Sequence, residues 1–311
     1  MKKEILIAID GSIYSNQSLD YISSLFGADP EICFHLKIWI TATASIMPSA
    51  ADSRDSLIPS SGSGGQGKKE ASARRALSKG TEKLLAAGIA EDRIHSSIHV
   101  SGYNIGAAIQ QIAEKELYDS ILIGRRGLDG ISEMLMGSVS TTLFRNCHEI
   151  PLWIIDGEVR SKNFLVPVDG SPNSLMATDH LCHIFQGRQD IHIHLFHCST
   201  LLGKTLTYRP EHFYHKWDKE WCDTHLSSEA SLFNGPLQLL LAAGIPEQHI
   251  QILPEAPDLE GAHGIIREAD KQNCGTIVIG RRGADIKKGL FGGVSDRTIK
   301  HVQNLALWIV G

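Results

Sequence analysis

Three observations predict two tandem α/β domains. The chain is 311 residues long, too long for one typical domain and comfortable for two. Four landmarks recur in the same order, at a spacing of about 155–159 residues. Ile7–Ser12 returns as Val166–Ser171, Leu84–Ile89 as Leu240–Ile245, Ile123–Gly127 as Ile279–Gly283, and Pro151–Ile155 as Ala306–Val310. Within each copy, apolar runs bounded by turn residues alternate with helical segments. That alternation belongs to a parallel sheet covered on both faces.

The first copy gives each element its reason in order. Ile5–Ile9 is an apolar run and reads as a buried strand. Ser12–Phe26 reads as a helix ended by Gly27, and Ile32–Ile40 as the second strand. Ala71–Ala87 is helical and stops at Gly88, a favourable residue just past a helix end. Ile94–Val100 is a short strand and Ile105–Leu117 a helix. Ser120–Ile123, Ser138–Asn146 and Leu152–Ile155 complete the copy as strand, helix and strand. Each copy is therefore a Rossmann-like unit, a five-stranded parallel sheet with about four helices on its two faces. The short polar stretch Asp156–Lys162 marks the boundary, giving domains over residues 1–157 and 162–311.

One segment breaks the pattern. Residues 41–69 are rich in Ser, Gly, Ala and Pro and read as a flexible insertion. Their counterpart, Ser199–Ser231, carries Tyr208, Phe213, Tyr214, Trp217 and Trp221, and is expected to be ordered and packed.

Composition narrows the function. Hydrophobic residues make up 42% and charged residues 21%, as in an ordinary globular protein. A formal net charge of -5 offers no broad attraction for nucleic acid or an anionic membrane, so neither is expected as a partner. Lys2 and Lys3 before Ile5–Ile7 resemble a signal peptide only faintly. Glu4 and Asp10 interrupt the apolar run, and no small-residue cleavage site follows. No stretch approaches the roughly 20 apolar residues of a spanning helix. Six cysteines are scattered without a C-x-x-C pair, which fits a reducing, cytoplasmic compartment.

The chemistry concentrates after the fourth strand. Gly124-x-x-Gly127, nine further residues, and then Gly137-Ser138 opening a helix place glycines where a backbone can approach phosphate closely. The helix start adds partial positive charge, and Ser138 adds a hydroxyl. In a doubly wound sheet this end of the strands is where ligands bind. Asp10, at the end of the first strand, can accept hydrogen bonds from a ribose or an adenine amine; the competing reading makes it the N-cap of the next helix.

Taken together, G-x2-G-x9-G-S after a strand, Asp-Gly-Ser at the first turn and the duplication resemble the ATP-binding signature of the universal stress protein family, in its tandem two-domain form. The resemblance covers nearly the whole chain. It implies a nucleotide ligand, ATP or else ADP or AMP, with or without Mg. Carried over by position, the adenine and ribose contacts fall at Ala8, Ile9, Asp10 and Ile38. The phosphate and ribose contacts fall at Gly124, Arg126, Gly127, Gly137, Ser138, Val139 and Ser140. The family also pairs its last strand with a second copy. Trp153 and Trp308, in matching last strands, are then expected to meet within one chain, with a further homodimer left open.

The second copy departs from this pattern. Anchored on Val294-Ser295 and Trp308, Gly292 falls at the place of Gly137, and the loop after Gly283 holds eight residues. Counting nine ends it at Gly293-Val294 instead. Either way the hydroxyl is lost, although Lys287 and Lys288 lie in the loop. A second site, weaker or vacant, would be lined by Val168, Asp169, Cys198, Gly280, Arg282, Gly283 and Gly292.

Other signals carry less. Gly62–Lys69 approaches a P-loop, but Lys69 stands where a Ser or Thr would hold magnesium. Of the pairs Arg125-Arg126 and Arg281-Arg282, at least one member each is expected to face solvent, and an anion role is otherwise open. His192, His194, His197 and Cys198, with His212, His215, Cys222 and His225, offer metal-ligand chemistry but no completed spacing, so buried or edge histidines are expected. No nucleophile–base constellation stands out, so no enzyme is expected and ATP turnover would be incidental. The leading expectation is a nucleotide-binding stress sensor or regulator that acts on a protein partner. The alternative is a protein-interaction scaffold without nucleotide, and an adenylating or hydrolysing enzyme comes last.

Overall fold

Residues 2–27, 29–41, 63–102, 104–126, 136–200, 207–258, 261–281 and 293–311 are described in the computed structural model. The first copy runs β1 (Lys3–Ala8), α1 (Ile13–Phe26), β2 (Ile32–Thr41), α2 (Ser63–Ala86), β3 (Ile94–Ser101), α3 (Ile105–Lys115), β4 (Ser120–Gly124), α4 (Ser138–Asn146) and β5 (Leu152–Ile155). The second opens with β6 (Asn163–Pro167), α5 (Pro172–Ile184), β7 (His192–Phe196), β8 (Cys198–Thr200), α6 (Lys219–His225) and α7 (Asn234–Ala242). It continues with β9 (Ile250–Ile252), β10 (Ala256–Asp258), α8 (Ala262–Lys271), β11 (Thr276–Gly280), α9 (Val294–His301) and β12 (Ala306–Val310).

Ten strands form one sheet in the order β3-β2-β1-β4-β5-β12-β11-β6-β7-β9. Every neighbouring pair in each half is parallel; β5 and β12 alone pair antiparallel and join the halves. At the centre of that seam Trp153 lies opposite Trp308. The two indoles stack at 3.8 Å with 2° between their planes, and both are 0% exposed. Two apolar layers flank the sheet, and each contains residues of both halves.

Helix α2 corrects the expected insertion. It begins at Ser63, so residues 63–69 are helical rather than flexible, and residues 42–62 lie outside the described residues. Each glycine in a helix costs about 1 kcal/mol relative to alanine. Extending an existing helix costs far less than nucleating one, and the later turns are anchored through buried Ala73, Leu77 and Leu84. The same helical state removes the P-loop-like stretch over Ser63–Lys69 from consideration.

The second copy solves the same covering problem with other residues. Its α7 spans only 9 residues, against 24 in α2. Tyr208, Phe213, Cys222 and Leu226 enter the apolar layer instead, with Trp217 and Trp221 packed against it. The third strand also differs. β3 spans 8 residues, whereas β9 spans 3 and is followed by β10, which pairs with β8 in a separate two-stranded sheet. Pro254 and Pro257 lie in this stretch of the second copy. A proline cannot donate to a strand ladder, so one continuous strand is broken there.

Candidate functional site

The strand register assembles the first site. Ala8 pairs with Lys37 on one side and with Ile123 on the other. The Ile9 amide donates to the Lys37 carbonyl at 3.0 Å. Ile9 and Asp10 therefore emerge between Ile38 and Gly124, at the switch point where β1 is flanked by β2 and β4. Ile9 and Ile38 are buried, while Asp10 is exposed. The Asp10 carboxylate is nonetheless held in place. Its Oδ1 accepts from the Ser12 amide at 2.9 Å and from the Ser15 hydroxyl at 2.6 Å. Asp10 is not the helix cap; Ser12 is, through its side chain and the Ser15 amide at 3.2 Å.

The start of α4 is tied to the same strand ends. The Gly137 amide donates to the Arg125 carbonyl at 2.9 Å, and the Ser140 hydroxyl donates to the Gly124 carbonyl at 2.9 Å. Intrahelical bonding begins with the Thr141 amide on the Gly137 carbonyl. The amides of Ser138, Val139 and Ser140 are thus helix-end donors, with no acidic residue in the first turn. Gly124 meets a close approach: a Cβ there would lie 3.0 Å from Tyr14 Cβ. Arg126 stands at this rim, 5.6 Å from the centre of the Tyr14 ring and 3.6 Å from Asp156. Of the expected lining, Ala8, Ile9, Asp10, Ile38, Gly124, Arg126, Gly137, Ser138, Val139 and Ser140 converge on this end of the sheet. Gly127 lies outside the described residues.

The second copy has the same frame with different fittings. The Val168 amide donates to the Phe196 carbonyl at 2.8 Å, so the residue matching Ile38 is His197. Cys198 matches Trp39 and pairs with Ala256 in the small sheet. His197 is buried, and its Nδ1 donates to the Val168 carbonyl at 2.6 Å. The His192 and His249 rings lie 4.3 Å apart, tilted by 34°. Among the described residues, no three His, Cys, Asp or Glu side chains are grouped to hold a metal. Asp169 is exposed, and its Oδ1 accepts from the Ser171 amide at 2.9 Å. The matching serine, Ser174, turns away toward the Ser171 carbonyl at 2.9 Å and the buried Tyr208 hydroxyl at 3.4 Å.

The helix start shows the largest difference. The cap of α9 is Gly293, the counterpart of Gly137 by position in the helix. Its amide donates to Asp296 Oδ2 at 2.8 Å, so a carboxylate already occupies the positive end of α9. Among the described residues, the Arg281 carbonyl accepts from the Asn173 side chain and not from the helix start. A Cβ on Gly280 would lie 2.3 Å from the Asn173 backbone at the start of α5, just as a Cβ on Gly124 would crowd Tyr14 at the start of α1. Arg282, Gly283 and Gly292 lie outside the described residues.

In each arginine pair the first member, Arg125 or Arg281, does not face solvent; Arg126 is half-buried at the rim, and Arg282 lies outside the described residues. Arg125 and Arg281 are 1% and 7% exposed. Arg125 donates to the Val302 and Lys300 carbonyls at the end of α9. Arg281 donates to the Phe144 carbonyl near the end of α4 and approaches Nδ1 of His148 at 2.6 Å. Burial pulls both guanidinium pKa values down. Ser15, Asp296 and the cross-domain bonding of the two arginines escaped the sequence reading. The recurring D-G-S-x-x-S spacing was a signal for Ser15 and Ser174, but tertiary contacts of Asp296 and the arginines have no local one.

Comparison with known proteins fits this geometry. The universal stress protein family model matches twice, over residues 1–156 and 160–304. The chain belongs to the universal stress protein family. A universal stress protein of Archaeoglobus fulgidus DSM 4304 is similar over 99% of this chain and 95% of its own, with a TM-score of 0.63 and 17% identity. A putative universal stress protein of Pseudomonas aeruginosa UCBPP-PA14 is similar over 99% of this chain and 93% of its own, at a TM-score of 0.51 and 13% identity. At such identities these likenesses speak for the fold. A search of curated protein sequences returns no match. Among the described residues, no helix of this universal stress protein is long and apolar enough to cross a membrane.

Proposed function

We propose that this universal stress protein binds an adenine nucleotide in its first domain and uses it to alter affinity for a protein partner. The observation that carries the reading is the start of α4. Three helix-end amides open a helix that the Ser140 hydroxyl ties to Gly124, the Ser138 side chain is exposed there, and the first turn has no acidic side chain. That donor set suits a polyphosphate. Ile9, Ile38 and Asp10 supply an apolar wall and a fixed carboxylate for the base and sugar. ATP, ADP and AMP share these contacts, so the regulation would come from which of them favours one conformation.

The second domain favours a different role. Asp296 places negative charge where a phosphate would lie, and Asn173 donates to the Arg281 carbonyl. We read this half as a nucleotide-poor scaffold that contributes packing and partner surface.

Calorimetric titration of ATP into the full chain tests both statements. One site per chain is expected, abolished by joint Gly137→Ala and Ser138→Ala substitution. Gly137 has φ -61 and ψ 158, a conformation alanine adopts without strain. Lost binding in that variant reports on the site rather than on the fold. No heat at millimolar ATP would reject the nucleotide reading and leave the scaffold.

A further inference from the structure

Arg125 does two things at once. Its backbone belongs to the first site: its amide donates to the Ile155 carbonyl at 2.8 Å, and its carbonyl receives the Gly137 amide at 2.9 Å. Its side chain leaves that domain. Nη1 reaches the Val302 carbonyl and Nη2 the Lys300 carbonyl at 3.0 Å, both at the end of α9 in the second domain. The last carbonyls of a helix lack intrahelical partners and carry partial negative charge. A guanidinium with several fixed donors satisfies them better than an ammonium would. Asp156, buried at the end of β5, balances the charge at 3.5 Å.

Arg281 repeats this arrangement in the opposite direction. Its amide donates to the Val310 carbonyl at 2.7 Å, and its side chain reaches the Phe144 carbonyl near the end of α4. Each arginine therefore joins the ligand-side end of one domain to the last helix of the other. The two links flank the stacked Trp153–Trp308 pair and are buried. Among the described residues, only Arg125 is also tied to the start of its own last helix. The Arg125 carbonyl holds Gly137, whereas the Arg281 carbonyl is taken by Asn173.

We propose that Arg125 and Arg281 form a reciprocal clamp through which the first site and the end of α9 are energetically coupled. Ligand contacts that fix Gly137 and Ser138 fix the Arg125 backbone with them. The guanidinium carries that ordering across the seam to Lys300 and Val302. The reverse link, from Arg281 to α4, is structural only, because no ligand is assigned to the second site. The ligand-dependent part rests on the nucleotide reading above; the clamp itself does not.

Hydrogen–deuterium exchange on the full chain separates the two. Without ligand, Arg125→Met is expected to speed exchange by about tenfold both at residues 137–141 and at the end of α9, where the Val302 amide bonds to Thr298. Strands β5 and β12 should stay protected, which shows that the fold survives. Arg281→Met should speed exchange at residues 144–147 alone, and Arg125→Lys should fall between wild type and Arg125→Met. With ATP, wild type should slow at residues 137–141 and at residues 299–302. Arg125→Met should slow only at the first of these. A ligand-free Arg125→Met that leaves α9 unchanged overturns the clamp. ATP that slows α9 equally in both proteins overturns the coupling. ATP that slows nothing rejects the nucleotide reading, while the ligand-free comparison still decides the clamp. If Arg125→Met does not fold, Arg125→Lys carries the same comparisons with smaller changes.

Discussion

The two halves share a frame and differ at one end of it. On the seam side they are near copies: Trp153 and Trp308 stack, and Arg125 and Arg281 cross. On the ligand side they part. The first copy ties the start of α4 to β4 and has no acidic residue in its first turn, while the second caps α9 with Asp296 and gives the Arg281 carbonyl to Asn173. The covering layer diverges too, a 24-residue helix against an aromatic segment. Burial and cross-domain bonding constrain the seam, because a change in one partner leaves the other unpaired.

The largest expected effect tests the shared side. Trp153→Ala and Trp308→Ala should each destabilise the protein by about 3–5 kcal/mol, the range for deleting a fully buried large aromatic. Because both apolar layers run through both halves, calorimetry should show one unfolding transition in each variant, displaced by similar amounts. Two separate transitions would mean that the halves are independent.

The seam has one chemical asymmetry. Tyr21 and His180 occupy matching places; Tyr21 bonds Thr276 at 2.9 Å, and His180 accepts from the Trp153 indole at 3.1 Å. Complete burial pushes the His180 pKa down to about 3. An unfolded histidine titrates near 6.5, so the unfolded state takes up a proton that the folded state refuses. His180 therefore stabilises the fold fully above about pH 6.5. That contribution falls by about 1.4 kcal/mol per pH unit as pH drops toward 3. Urea titrations from pH 7 to pH 5 should show a steeper loss in wild type than in His180→Gln. Equal slopes would contradict the assignment. Burial pushes the Tyr21 phenol up, away from this window, so its half contributes no matching slope.

Ser138→Asp sharpens the contrast on the ligand side. It copies into α4 the acidic first turn of α9. ATP affinity should fall by at least about tenfold, while the helix itself gains a few tenths of a kcal/mol from the dipole. Weakened binding at undiminished thermal stability is the expected pair of readings. The smallest effect is a control: Ser12→Ala and Ser171→Ala should each cost about 1 kcal/mol, because both serines cap their helices in the same way.

Much of this was legible in the sequence for physical reasons. The strands are apolar runs, and the repeat locates them twice, so β5 and α4 were placed to the residue. Glycines such as Gly88, with φ +89, mark a helix end because few other residues adopt that conformation. The start of α2 was not legible: its glycines argue locally for a loop, and packing further along the helix overrides them. Cys198 was expected where His197 lies because the end of a strand is registered by its pairing, not by counting. The crossing arginines sit inside a glycine motif and look like anion ligands until the other domain is in place.

The most direct test of the contrast between the halves is photo-crosslinking of the full chain with 8-azido-ATP, followed by peptide mapping. Labelling that unmodified ATP competes away should fall on peptides around residues 8–15, 36–41 or 136–140, with none around 166–174 or 293–297. Equal labelling of both halves, or labelling of the second alone, would contradict the account.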